Sequence, residues 1–188
     1  MAQKKVIVVV GSPRLGGNSD SLAQQITAGA QSAGARVEVF HLHEMNIQPC
    51  DACEVCQGSD DVDCKLPDDM QPLYPKLRKC DALVIASPIY WFTVSAQTKL
   101  FMDRWYALEG PSGNSLRGKK IAIALTYGDT DPFASGAVNA LRTFQDAFKY
   151  IGADIVGTVY ASASKAGEIR QNKAVMDKAH ELGKELVA

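Results

Sequence analysis

Four cysteines lie within fifteen residues, Cys50, Cys53, Cys56 and Cys64, in the pattern C-x2-C-x2-C-x7-C. Three thiols spaced by two residues can converge on one centre, and a fourth can arrive through a turn at Gly58. Four thiolates suit a [4Fe–4S] cluster, whose low potential favours electron exchange. They also suit zinc, although two C-x2-C pairs with a longer separation are more usual there. Free thiols or labile disulfides are the third reading. The order of expectation is cluster, then thiols without metal, then zinc. Asp51, Glu54, Asp60, Asp61, Asp63 and Asp68 surround the cysteines and read as a solvated face able to orient a redox partner. Cys80 stands apart, beside an apolar run, and reads as a buried thiol acting as a small hydrophobe.

A second group of reactive side chains follows the β-branched run Lys5–Gly11. The segment from Gly11 to Ser21 reads GSPRLGGNSDS and leads into a helical pattern. Free backbone N–H groups and the dipole at a helix start favour an anion there. Ser12, Asn18, Ser19 and Ser21 offer side-chain donors, and Arg14 offers a fork suited to phosphate. A Walker A loop is excluded because Gly17 is followed by Asn18 rather than Lys. The dinucleotide fingerprint G-x-G-x-x-G is also absent.

Two more loops join it. Ser87-Pro88-Ile89-Tyr90-Trp91-Phe92-Thr93-Val94-Ser95 places three aromatic side chains directly after a buried run, where they can present flat surfaces to a planar heterocycle. The blander reading packs Trp91 and Phe92 under the next helix or at a subunit contact. Thr126-Tyr127-Gly128-Asp129-Thr130-Asp131-Pro132 adds small polar groups. A monophosphate pocket with two walls for a flat ring fits a mononucleotide bearing an aromatic ring, and FMN is the foremost candidate.

The elements that must position these loops are legible as an alternation. Strands are expected at 5–11, 36–41, 82–87, 120–127 and 154–160. Helices are expected from Asn18 to about Ala33, and over about 69–78, 95–105, 135–151 and 172–187. Five strands alternating with helices make an α/β fold, a doubly wound five-stranded parallel sheet with helices on both faces. The cysteine-rich insertion, about 44–68, follows the second strand. The whole span 1–188 reads as one domain. In such sheets ligands bind beyond the carboxyl ends of the strands, where the order reverses.

At GSPRLGGNS, SPIYWFTVSAQTKLFMDR and LTYGD the sequence resembles the NADPH-dependent FMN reductase and iron–sulfur flavoprotein group of the flavodoxin-like superfamily. The resemblance covers most of the chain. It implies that Ser12, Arg14, Asn18 and Ser19 hold the FMN phosphate, and that Pro88–Phe92 and Thr126–Gly128 border the isoalloxazine. It also implies homodimers or homotetramers with FMN near a subunit interface. The spacing of Cys50, Cys53, Cys56 and Cys64 resembles the cluster motif of the iron–sulfur flavoproteins.

The expected activity is therefore FMN-dependent oxidation of NAD(P)H, with electrons passed on to an acceptor, by way of a [4Fe–4S] cluster if one is bound. A non-enzymatic electron carrier working with redox proteins is the alternative, and a zinc-stapled nucleotide-binding module the third. For Asp103 and Arg104, at a helix end, an ion pair or interface contact is expected. His41 and His43 read as edge residues. Twenty basic and 21 acidic side chains give a net charge of −1, which excludes nucleic acid and anionic membranes as general partners. With no leader-like opening, a cytoplasmic protein is expected.

Overall fold

A computed structural model describes residues 3–58 and 64–188. The β-branched run Lys5–Val10 forms β1, buried from Val6 onward. Parallel neighbours flank it on both sides: β2 (Arg36–His41) and β3 (Ala82–Tyr90). Beyond β3 come β5 (Lys120–Tyr127) and β6 (Asp154–Ser162), giving the order β2-β1-β3-β5-β6. That is the flavodoxin order, with the reversal falling between β1 and β3. A sixth strand, β4 (Thr93–Val94), is two residues long and folds back antiparallel on the end of β3.

Alternate side chains of the sheet feed two cores. Val6, Val8, Val10, Val84 and Ala86 face α1 (Asn18–Ser32) and α5 (Lys173–Glu185). Ile7, Val9, Leu83, Ile85, Ile121 and Ile123 face α2 (Tyr74–Lys79), α3 (Ala96–Asp103) and α4 (Ala137–Ile151). A parallel sheet covered on both faces has no solvated side, so its strands read as continuous apolar runs. On α4 the buried residues Ala137, Ala140, Phe144, Phe148 and Ile151 recur at three and four, which places one stripe against the sheet. Phe148 meets Trp105 at 5.2 Å between ring centroids, and Trp105 meets Phe101 edge-on at 5.6 Å.

Several boundaries differ from expectation for local reasons. The helix expected over 69–78 begins only at Tyr74, since Pro72 and Pro75 lack the N–H a helix interior needs. The helix from 95 gives way after Asp103 to a 3-10 segment, Arg104–Leu108. β3 continues three residues past Ser87, so the aromatic loop is a hairpin rather than an irregular turn. Among the described residues no helix is long and apolar enough to cross a membrane.

Candidate functional site

The carboxyl ends of β1, β3, β5 and β6 open on a cavity of about 280 Å³. Ser12, Arg14, Asn18 and Ser19 line it from the first loop. Pro88, Ile89 and Tyr90 line it from the end of β3, and Thr126, Tyr127 and Gly128 from the end of β5. Of the nucleotide contacts expected from sequence, all but Ser21, Trp91 and Phe92 thus share one space. A fourth wall was not foreseen: Ala163, Ser164 and Ala166, just past β6. The rule about carboxyl strand ends pointed to this run of small residues too, but it carries no donor or aromatic cluster to draw attention.

At the first-loop end of the cavity, α1 starts at Asn18, and the N–H groups of its first turn have no intrahelical partner. Gly17 precedes it, and a Cβ there would lie 2.9 Å from the Arg14 carbonyl oxygen. Arg14 is exposed; its backbone bonds to Ser12 and Gly17, while its guanidinium has no partner among the described residues. Ser19 Oγ and Thr126 Oγ1 are 2.7 Å apart, linking the first loop to β5. An unpaired guanidinium, open N–H groups at the start of a fifteen-residue helix and buried hydroxyls together fit a phosphate monoester.

Other polar groups brace this end. Asn18 Nδ2 donates to Ala163 O at 3.0 Å and Lys165 O at 2.9 Å, and Asn18 Oδ1 accepts from Ile169 N at 3.2 Å. Its amide is therefore spent on holding the fourth wall. Ser21 Oγ donates to Gly17 O at 2.8 Å and accepts from Arg170 Nε at 2.9 Å, away from the cavity. Arg170 also reaches Gly16 O at 3.0 Å, so it staples the loop from outside. Sequence gave no sign of that role.

Trp91 and Phe92 line an adjoining cavity of about 240 Å³ with Asp129, Ala134 and Ser135, which shares Ile89, Tyr127 and Gly128 with the first. They are 92% and 55% exposed, so neither is packed beneath the following helix. They form the two-residue turn between the pairs Tyr90–Thr93 and Ile89–Val94, with φ of 47° and 67°. A hairpin with both central residues left-handed normally takes Asn-Gly, and bulky residues there are strained. Burial, with Tyr160 and Asp131 nearby, pushes the Tyr127 phenol up, so it stays a neutral hydrogen-bond donor.

The cysteines are not gathered. Cys50 is exposed, Cys53 half-buried, and Cys56 and Cys64 lie in the core. Cys56 Sγ accepts from Gln57 Nε2 at 3.4 Å. Among the described residues no three potential ligands are placed to hold a metal ion. The arrangement does not fit a cluster cage, and no chemical step is derived through one. Of the acidic residues read as a solvated face, Asp51 pairs with Lys65 at 3.2 Å, whereas Asp68 is buried against Arg104. Asp60, Asp61 and Asp63 lie outside the described residues. Arg104 thus has its ion pair, but inside the protein, while Asp103 pairs with Lys99. Cys80 is buried as expected, and burial pushes its thiol up to about 11.

A flavodoxin-order sheet with a donor-rich loop and aromatic residues at its switch point is the arrangement of a class of flavin mononucleotide proteins. The sequence profile of the NADPH-dependent FMN reductase family matches residues 4–168, and the chain belongs to that family. It is an NAD(P)H-dependent flavin oxidoreductase. It is 28% identical over 182 residues, 95% of this chain and 96% of the relative, to YwqN of Bacillus subtilis, named as a candidate NAD(P)H-dependent FMN-containing oxidoreductase. It is also 28% identical over 153 residues, 81% of this chain and 77% of the relative, to an iron-sulfur flavoprotein of Methanosarcina thermophila. Among solved structures, the Trp repressor binding protein from Bacillus subtilis superposes with a TM-score of 0.69 at 25% identity, over 94% of this chain and 98% of that one.

Proposed function

We propose that the donor-rich cavity takes the FMN phosphate and ribityl chain, and that the adjoining aromatic cavity takes the isoalloxazine edge and the nicotinamide. The observation carrying this reading is that the two spaces adjoin, with Ile89, Tyr127 and Gly128 in the walls of both. Bound FMN supplies the redox chemistry, accepting a hydride from NAD(P)H and yielding two electrons to an acceptor. The chain's own groups bind and orient. Arg14 and the first turn of α1 neutralise the phosphate, Ser12 and Ser19 add hydroxyls, and Tyr90, Trp91 and Phe92 flank the ring. Tyr127 offers a proton-bearing phenol beside it.

Exposed Trp91 and Phe92, with Phe133 at 78% exposure, support the further reading that the site abuts a second copy in a homodimer or homotetramer. The five unpaired cysteines suit a reducing, cytoplasmic setting.

Apoprotein titrated with FMN, followed by anaerobic mixing with NADH or NADPH and then a quinone or dye, tests the function. Stoichiometric flavin uptake and acceptor-dependent turnover are expected. Intact flavin that NAD(P)H does not reduce would leave the electron-carrier reading instead. The spacing of Cys50, Cys53, Cys56 and Cys64 and relatives named iron-sulfur flavoproteins speak for a [4Fe–4S] cluster, whereas the placement of the thiols in this structure speaks against one. Iron and sulfide analysis of protein purified without oxygen decides it: four of each per chain would establish the cluster.

A further inference from the structure

Three hydroxyls without solvent access lie beneath the proposed flavin site: Ser87, Ser95 and Thr98. Each carries one proton. Ser87 Oγ donates to Pro88 O at 2.9 Å, and Ser95 Oγ donates to Gly11 O at 2.7 Å. Thr98 Oγ1 lies 3.1 Å from Ser87 Oγ and 3.0 Å from Ser95 Oγ, so its proton is the one shared between them. Ser87 Oγ also accepts from Ser95 N at 3.1 Å, and Ser95 Oγ from Thr98 N at 3.3 Å. All three protons are therefore placed, and Thr98 is the hub.

The ends of this network matter more than its middle. Gly11 directly precedes Ser12, and Pro88 is the first residue of the aromatic wall; Ser12 and Pro88 both line the cavity. The Ser95 N–H to Ser87 Oγ bond closes the neck of the hairpin that carries Trp91 and Phe92. Its tip is held separately, by Asn139 Nδ2 donating to Phe92 O at 3.2 Å. Left-handed aromatic residues persist only where the surroundings over-determine them. The network also explains Gly11: a Cβ there would stand 1.9 Å from Thr98 Oγ1.

We infer that Thr98, through Ser87 and Ser95, is a positioning residue for the flavin reaction, locking the phosphate loop and the aromatic hairpin in one register. The inference rests on the proposed FMN site. Thr98→Val keeps the shape and removes the shared proton, leaving the buried Ser87 and Ser95 oxygens with only their backbone N–H donors. The expected result is cooperative folding, an FMN Kd raised about tenfold, an altered visible circular dichroism of the bound flavin, and faster local decay of Trp91 fluorescence anisotropy in the apoprotein. Thr98→Ser restores all three to within about twofold.

A Thr98→Val protein with lowered Tm but unchanged FMN Kd, flavin dichroism and Trp91 decay overturns the inference, because Thr98 would then be purely structural. If that variant does not fold, Ser87→Ala, which removes the hydroxyl at the hairpin neck, is read by the same three measurements. Should wild-type protein take up no FMN, the functional reading fails by itself, and the Trp91 decay still judges the clamp.

Discussion

The Asp68 carboxylate and the Arg104 guanidinium form a two-pronged ion pair with side chains 0% and 1% exposed. Arg104 Nη1 also donates to Gln48 O at 2.8 Å, and Asp68 accepts from Gln48 N at 2.9 Å and Met70 N at 3.0 Å. Arg104 follows α3, which begins under the aromatic hairpin, while Gln48 and Asp68 bracket the cysteine segment. The pair therefore fastens that segment to the helix that begins at the aromatic hairpin. Two buried charges repay their desolvation only when their lone pairs and protons are engaged; both Nη atoms of Arg104 are, whereas its buried Nε has no partner among the described residues.

Removing one partner leaves the other charge buried and alone. Asp68→Asn or Arg104→Met is expected to lose about 3–5 kcal/mol of stability in urea unfolding, whereas Asp68→Leu with Arg104→Met recovers most of it. Burial opposes the Asp68 charge, but Arg104 and the two N–H groups outweigh it and hold the carboxyl below the ordinary carboxylate range. With a lowered folded pKa, the contribution is complete above the unfolded value near 4 and is lost as pH falls through the folded one. Unfolding free energy measured from pH 6 to pH 2 should drop more steeply for wild type than for the double variant.

The sheet was legible because a parallel sheet buried on both faces leaves apolar runs that nothing else in the chain imitates, and glycines and prolines punctuate them. The three loops were legible because strand order dictates which ends converge. Asp68 and Arg104 were not, since a charge buried with its partner looks the same in sequence as one in water. Asn18 and Ser21 show the same limit. Both are polar residues at a helix start, and only geometry reveals that their side chains brace the loop with Ala163, Lys165 and Arg170.

Helices α1 and α5 touch through glycine. A Cβ at Gly29 would lie 1.9 Å from His180 O, and one at Gly183 would lie 2.1 Å from Ile26 O. Backbone on both sides cannot step aside, so the helices themselves must part. Gly29→Ala and Gly183→Ala are each expected to lose about 2 kcal/mol and to lower Tm by about 4–8 °C in a scan. Variants that melt with wild type would show that the interface yields freely.

The thiols should divide by burial. With a chromogenic disulfide reagent under native conditions, Cys50 and Cys53 are expected to react promptly. Cys56, Cys64 and Cys80 should react only on unfolding, Cys80 also being disfavoured as a thiolate by its raised pKa. Protection of Cys50 and Cys53 as well, released by an iron chelator, would mean that the segment is organised around a metal cluster.

Arg14 and Asn18 both line the first-loop end of the cavity, yet they are expected to fail differently. The Arg14 guanidinium has no partner to lose among the described residues, so Arg14→Ala should raise the FMN Kd about tenfold or more by removing a charge-assisted contact. The same variant should bind riboflavin, which lacks the phosphate, within about twofold of wild type. Added salt should weaken FMN binding less in the variant, because less charge remains to screen. Asn18 has two bonds to the segment of the fourth wall and a third to Ile169 just beyond it, so Asn18→Ala should loosen that wall and weaken FMN and riboflavin together. Calorimetric titration of apoprotein with the two flavins separates the roles. An Arg14 variant that loses both ligands equally would move the phosphate away from the first loop, and an Asn18 variant that loses FMN alone would make its amide a direct phosphate ligand.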